Sequence, residues 1–267
     1  MGLVYLFIDV KESVRQDVFT DPPNGSPPNC AFTVDTSSED EDPQDRISAL
    51  GQNACYAHLV QTCQFRTCLF SLTISGRTAR IMRWDRSGVL VTTAFDYEAS
   101  PQTLIEFVWR FVRAGKVQQG FDPTVILIDS DEDRGSFLEA IRSHVQLQLA
   151  LGPGTKELDK AVNEHYSGGG LARVLISNRD VWVSRLLLVP HTIIGPCTAG
   201  YWGVRCDTKE VVYVKDVWRA DVEDTELEGD ILRHLEELGV SHNPSVVNHG
   251  DATSEGTGVL RIYAVGS

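Results

Sequence analysis

No run of apolar residues in the sequence approaches the roughly 18 to 20 that a membrane span needs, which excludes a transmembrane helix. The opening MGLVYLFIDV has neither a basic leader nor a small-residue cleavage site, so the chain reads as intracellular, cytoplasmic or nuclear. Positive charge is also short: 24 Lys plus Arg stand against 37 Asp plus Glu, a formal balance of -13 that repels phosphate backbones and argues against a nucleic-acid partner. Cysteine is sparse and irregular. The closest pair, Cys63 and Cys68, lacks zinc-ligand spacing and has no matching His or Cys pair downstream, so the six cysteines read as buried free thiols.

What is present is a chain long enough for one or two domains with sizeable cores. Residues 3–10, LVYLFIDV, suit a buried strand and open an N-terminal domain within residues 1–20. Residues 21–46, with DPPNGSPPN and DTSSEDEDPQD, are too polar to offset the entropy of ordering and read as a flexible insert. Ile47, Leu50, Ala54, Ala57 and Val60 then keep helical spacing as far as about Gln64. Three strand-like runs follow (66–74, 78–84 and 88–95), joined by Ser75-Gly76 and Asp85-Arg86-Ser87-Gly88, which predicts an antiparallel meander.

Pro101 precedes a second helix over 102–113, whose apolar stripe is Leu104, Ile105, Val108, Trp109 and Val112. FDPTVILID reads as a strand and SFLEAIRSHVQLQLALG as a helix stopped by Gly152 and Pro153. Gly168-Gly169-Gly170 marks a boundary, so residues 47–165 complete the first domain and 171–267 form a second. The fold class is therefore α+β or α/β: a mixed sheet with flanking helices, then an antiparallel sheet with one helix.

In the second domain, alternation along VVYVKDVW puts Val211, Tyr213 and Lys215 on one strand face. Glu228 lies in TELEGDILRHLEEL, where Leu227, Ile231, Leu235 and Leu238 keep helical spacing. Thr225 and Glu228 together fit a capping box, in which the Glu side chain folds back on the cap amide.

Read together, QFRTCLF, GRTARIMRWDRSGVLVTTAFDY, EFVWRF, GFDPTV and VYVKDVWR look like the successive signatures of the fungal-type protein kinase family, over roughly residues 47–240. The resemblance implies a kinase small lobe with ATP and magnesium as cofactors. In that lobe Lys215 is the lysine that reaches the phosphates, Glu228 its helix partner, and the stretch holding Gly195, Thr198, Gly200 and Gly203 the phosphate loop. Two departures are visible. Pro196 lacks an amide donor and Cys197 replaces a permissive glycine. No H-R-D-x-x-x-x-N and no D-F-G string occurs in the 267 residues, so the catalytic base and the magnesium ligands have no counterpart. The expectation is a pseudokinase-like chain, truncated after its small lobe, that does not phosphorylate alone and that pairs with a protein partner or with itself through an uncovered apolar edge.

A second constellation lies in the first half. Asp9 and Lys11 close the opening strand, and Gln52 and Tyr56 follow on the first helix as Q-x-x-x-Y. With the LTISGRTARIMRW hairpin, this resembles restriction-endonuclease-like domains, where carboxylates hold a metal that activates water and the lysine steadies developing charge. One carboxylate of that pattern is visible. The alternative reading is therefore a nuclease-like domain, or its relic, carrying a kinase-lobe tail. In the turn after the hairpin, Arg83, Asp85 and Arg86 read as a surface ion-pair cluster and Trp84 as a cover for the sheet.

Overall fold

The opening apolar run forms β1 (Leu6–Lys11), and its partner is β2 (Leu69–Ser75), in parallel, with Leu6 opposite Phe70 and Lys11 opposite Ser75. Parallel neighbours need a crossover, and α1 (Pro43–Cys63) lies on it. The computed structural model describes residues 3–23, 25, 26, 33, 43–166, 170–177, 179–188, 191–195, 197–218 and 226–250. Most of the insert expected at 21–46, together with Thr225 and the last apolar run VLRIYAV, lies outside them.

The expected meander follows β2. Thr78–Asp85 is β3 and Gly88–Val91 is β4, both antiparallel, and a short β5 (Phe95–Asp96) pairs back on β3. Leu69, Leu72, Met82 and Trp84 are buried, and the Trp84 indole donates to Ser71 Oγ at 2.8 Å, so the ring covers the sheet with its N–H satisfied. Arg80, on β3, is buried yet fully engaged: it reaches Asp17 at 2.8 Å and Asp21 at 2.5 Å and donates to the carbonyls of Thr92 and Phe19.

The helix predicted over 102–113 is α2 (Gln102–Arg113). Its expected buried stripe is not the buried one. Ile105, Val108, Trp109 and Val112 are exposed, Val112 at 71%, while Phe107 and Phe111 stack on each other and against Phe70 of β2. The helix carries apolar residues on more than one face, and spacing alone does not say which face meets the sheet.

A second compact unit begins at Pro123. Its sheet runs β10-β9-β8-β7-β6, all antiparallel. The strands are β6 (Val125–Ile128), β7 (Leu171–Ile176), β8 (Arg179–Leu188), β9 (Cys197–Arg205) and β10 (Val211–Trp218). Three helices accompany it: α3 (Asp131–Gln148), α4 (Lys156–His165) and α5 (Glu228–Glu237). The sequence places the boundary at the three glycines and predicts one helix in this domain. The division falls earlier because α3 and α4 belong to this core: Phe137, Ile141, Leu158 and Val162 pack with Leu171, Trp182 and Val204 of the sheet. Each large side chain so buried contributes about 1.5–3 kcal/mol. The helix α3 also starts earlier than its apolar pattern, because Ser130 caps it by accepting from the Asp133 amide, and Asp131, Glu132 and Asp133 face its positive end. No apolar run announced α4. Its start is set by Thr155, which accepts from the Leu158 amide.

The expectation of buried thiols holds for Cys68 and Cys197, whereas Cys206 is half-buried and Cys55 and Cys63 are exposed. Among the described residues, no helix is long and apolar enough to cross a membrane.

Candidate functional site

The centre of the second unit is a strand lysine met by a helix carboxylate. Lys215 sits in the last half of β10, opposite Gly200 of β9. Glu228 is the first residue of α5, and Leu227, not a polar side chain, occupies the cap. The Lys215 ammonium donates to both carboxylate oxygens, at 2.5 and 2.6 Å. The two side chains are 29% and 40% exposed, so the pair is open to solvent on one side. Of the two readings of Glu228, the geometry realises the pairing with Lys215, while the capping partner Thr225 falls outside the described residues. A carboxylate in a helix's first turn is further favoured by the peptide dipoles.

The expected phosphate-loop residues fall mainly on a strand. Thr198 pairs with Val217, Gly200 with Lys215 and Gly203 with Val212, all inside β9. Gly200 lacks a β-carbon where the Tyr213 hydroxyl lies, and Leu188 Cβ stands 3.0 Å from the same spot. Gly203 gives room to Val214 and Val181, 2.7 and 3.0 Å from where a β-carbon would be. Gly195 differs: its φ of +84° is a left-handed conformation and the space around it is open. Of these glycines, then, Gly195 is shaped as a loop residue, and Gly200 and Gly203 serve close packing between strands. Irregular register between β8 and β9, at Val183, Leu186 and Leu188, loosens the ladder as it approaches this loop.

Two large rings share the lysine face. Trp202 and Tyr213 are direct partners across β9 and β10, and strand alternation places Tyr213 on the same side as Lys215. Sequence reading missed Trp202, although it stands two residues after Gly200. It also missed His144 and His165, which carry no motif. Both imidazoles lie near the Trp202 ring, with centroids 5.9 and 4.8 Å away. Burial, and then the nearby His165, hold His144 below the usual histidine range.

In the first unit, the residues singled out by sequence do converge. Asp9 is buried, with one oxygen 3.2 Å from the Lys11 ammonium and the other accepting from the Asn53 amide at 2.7 Å. Lys11 also donates to Gln52, whose amide donates to the Tyr56 hydroxyl at 2.7 Å. Asn53, one residue past Gln52, was missed because the Q-x-x-x-Y pattern skips it. Both Asp9 oxygens are therefore engaged by protein. Among the described residues there is no group of three or more His, Cys, Asp or Glu side chains arranged to hold a metal ion. Arg66 lies elsewhere in this unit, stacked 3.5 Å over the Phe121 ring and donating to the Gln119 carbonyl at 3.0 Å, and burial pulls its guanidinium down to about 10. It stays cationic at neutral pH.

The surface turn has its expected ion pair, Arg83 to Asp85 at 2.7 Å. Comparison with known proteins matches residues 6–260 to the sequence model of a family described as fungal protein kinase. No curated protein and no solved structure matches the chain. That match takes in both units and nearly the whole sequence, and it agrees with the ordered strings that end in the Lys215 strand: the chain belongs to the fungal protein kinase family.

Proposed function

We propose that the second unit is a kinase-type small lobe in which Lys215 and Glu228 tie strand β10 to α5, and that these 267 residues do not transfer a phosphoryl group by themselves. The observation that carries this reading is the two-pronged contact of Lys215 with Glu228 at 2.5 and 2.6 Å. It is the pair a kinase needs to orient the α and β phosphates of ATP, and with it Lys215 would hold those phosphates.

The rest of the apparatus does not fit. Phosphoryl transfer rests on positioning and charge neutralisation, which require magnesium ligands and a base to accept the substrate proton. The sequence strings that supply them are not found in the 267 residues, and Pro196 removes a donor from the loop. The function is pseudokinase-like: weak ATP binding at most, with Ile231 of α5 and Leu238 at its C-terminal cap, exposed at 42% and 64%, available to a protein partner or a second copy.

The test is incubation with radiolabelled ATP, magnesium and casein, alongside thermal unfolding of the wild type and Lys215→Ala with and without ATP. Label incorporation that Lys215→Ala abolishes would sink the proposal. No incorporation, with a small ATP-induced shift or none, supports it.

A second reading is favoured by the convergence of Asp9, Lys11, Gln52 and Tyr56. In it the first unit keeps the polar cluster of a D-x-K hydrolytic centre as a structural relic, because the single carboxylate is already engaged by Lys11 and Asn53. Manganese-dependent cleavage of plasmid DNA by the wild type but not by Asp9→Asn would show a live nuclease instead.

A further inference from the structure

We propose that the exposed face of α2 pairs with the same face of a second copy of this chain, the two helices running antiparallel. The helix has three faces. Phe107 and Phe111 stack against Phe70 and hold it to the sheet of the first unit. Ile105, Val108, Trp109 and Val112, spaced i, i+3, i+4 and i+7, line a second face and are between 40% and 71% exposed. Glu106, Arg110 and Arg113 line the third. Glu106 and Arg110 are joined there at 2.5 Å, and the Arg113 guanidinium lies 4.8 Å from the centre of the Trp109 ring.

One apolar face is enough to anchor a surface helix, and the sheet already has it in the two phenylalanines. The second stripe is surplus to folding. Its four side chains present roughly 400–500 Å² to water, toward the upper end of the largest apolar patch on an ordinary monomer. Covering them on two chains removes roughly 800–1,000 Å², which reaches the lower bound for a specific interface. An interface of that size is weak, so the expected Kd is about 1–50 μM.

Charge selects the occupant and its direction. On the polar face the acid lies toward the N-terminus of α2 and both bases toward its C-terminus. A parallel copy would set Glu106 beside Glu106 and arginine beside arginine. An antiparallel copy sets Glu106 against the Arg110–Arg113 turn of the second helix, and the reverse on the other half. The ion pair within each helix is exposed and contributes little, so it re-forms across the interface at little cost. The stripe has the same symmetry. About a two-fold axis between Val108 and Trp109, Ile105 meets Val112 and Val108 meets Trp109 of the second copy, which closes a self-complementary contact. The face belongs to the first unit and includes neither Ile231 nor Leu238, so the inference goes beyond the small-lobe reading and uses no nucleotide.

Sedimentation equilibrium of the whole chain, from about 1 to about 200 μM, tests it. The mass should rise with concentration from 29.5 kDa toward twice that. Val112→Glu and Ile105→Glu, both at exposed positions, should keep the Tm of the dilute protein within about 2 °C and weaken dimerisation about thirtyfold or more. Ile231→Glu should leave the Kd within about twofold. Direction is read by mixing Ile105→Cys with Val112→Cys under copper–phenanthroline oxidation and mapping the bridged peptides by mass spectrometry, which keeps bridges through the exposed Cys55 and Cys63 apart. A bridge between positions 105 and 112 is expected, and neither variant alone should bridge to its own position. The proposal is overturned by a monomer throughout the range, by a dimer that Val112→Glu and Ile105→Glu leave intact, by one that Ile231→Glu dissolves, or by a bridge between two positions 105. Phosphoryl transfer by the wild type would refute the small-lobe reading without touching these outcomes.

Discussion

Breaking the Lys215–Glu228 pair measures how far the tie between β10 and α5 is structural. A fully buried ion pair that loses one partner costs about 3–5 kcal/mol, whereas an exposed pair is worth about 0.2–1 kcal/mol. Here the side chains are 29% and 40% exposed and the contact is two-pronged at 2.5 and 2.6 Å. That places the coupling nearer the exposed limit, at about 1–1.5 kcal/mol. Glu228 also lies in the first turn of α5, where the helix dipole adds about 0.3–1 kcal/mol that does not depend on the lysine. Glu228→Gln should therefore cost more than Lys215→Met, and the double variant should be only about as destabilised as Glu228→Gln alone. Urea midpoints of the four proteins, read by circular dichroism, give the coupling directly. Because solvent reaches both groups, about 0.5 M NaCl should cut it roughly by half. Additive single effects, with coupling under about 0.3 kcal/mol, would mean that the pair contributes nothing. Coupling above about 3 kcal/mol would mean that it is desolvated in a way its exposure contradicts.

Two further outcomes follow from burial. Arg80→Met should lower stability by about 3–5 kcal/mol by stranding Asp17 beside a neutral side chain, whereas Arg83→Met, where the arginine of the pair is 41% exposed, should change it by under about 1 kcal/mol; thermal unfolding of both variants checks the contrast. The Cys206 thiol is pushed from 9.0 up to about 11, first by burial and then by Asp180, so it favours folding below about pH 9 and that contribution is lost as pH rises from 9 to 11. Cys206→Ser should flatten stability over that window, and iodoacetamide at pH 8.5, followed by mass spectrometry, should label exposed Cys55 and Cys63 well before Cys206.

Where a sequence signal and a structural cause coincide, the fold was legible. The strand alternation of VVYVKDVW and the helical spacing around Glu228 are local and assign each residue to its element, while the resemblance to the kinase family is what joined them as a pair 13 residues apart. The same locality explains the misreading of α2: its spacing announced a helix, but Phe107 and Phe111 face the sheet because Phe70 waits there, and a neighbour's shape is not written in the helix. Gly200 and Gly203 were read as loop glycines from their order in a motif. Only the register of β9 against β10, and the bulk of Tyr213 and Val214, reveal why a β-carbon is missing at each. Placing α3 and α4 with the second sheet required the long-range packing of Phe137 and Ile141 on Trp182 and Val204, which no boundary signal carries. His144 and His165 were invisible for the same reason, being 21 positions apart and related only by the ring of Trp202.

The two units share a device that bears on what either can do. In the first, a lysine at the end of β1 gives its ammonium to Gln52 on α1, the helix that follows in the chain, and to Asp9 beside it. In the second, a lysine near the end of β10 gives its ammonium to Glu228 on the next helix, α5. Both lysines are the residues that a hydrolytic centre or a kinase would use on phosphate oxygens, and in both the charge is already engaged within the protein. A ligand that recruits Lys11 must compete with internal partners that sit at hydrogen-bond distance before binding begins, whereas at Lys215 a kinase-type phosphate contact is made with the glutamate in place. Fixing the angle at which a helix leaves its strand needs only that internal partner. The family match runs from residue 6 to residue 260 and so includes both ties. A structural role accounts for both with no further ligand, and chemistry at Lys11 would have to displace its partners, whereas phosphate binding at Lys215 would have to keep Glu228 in place.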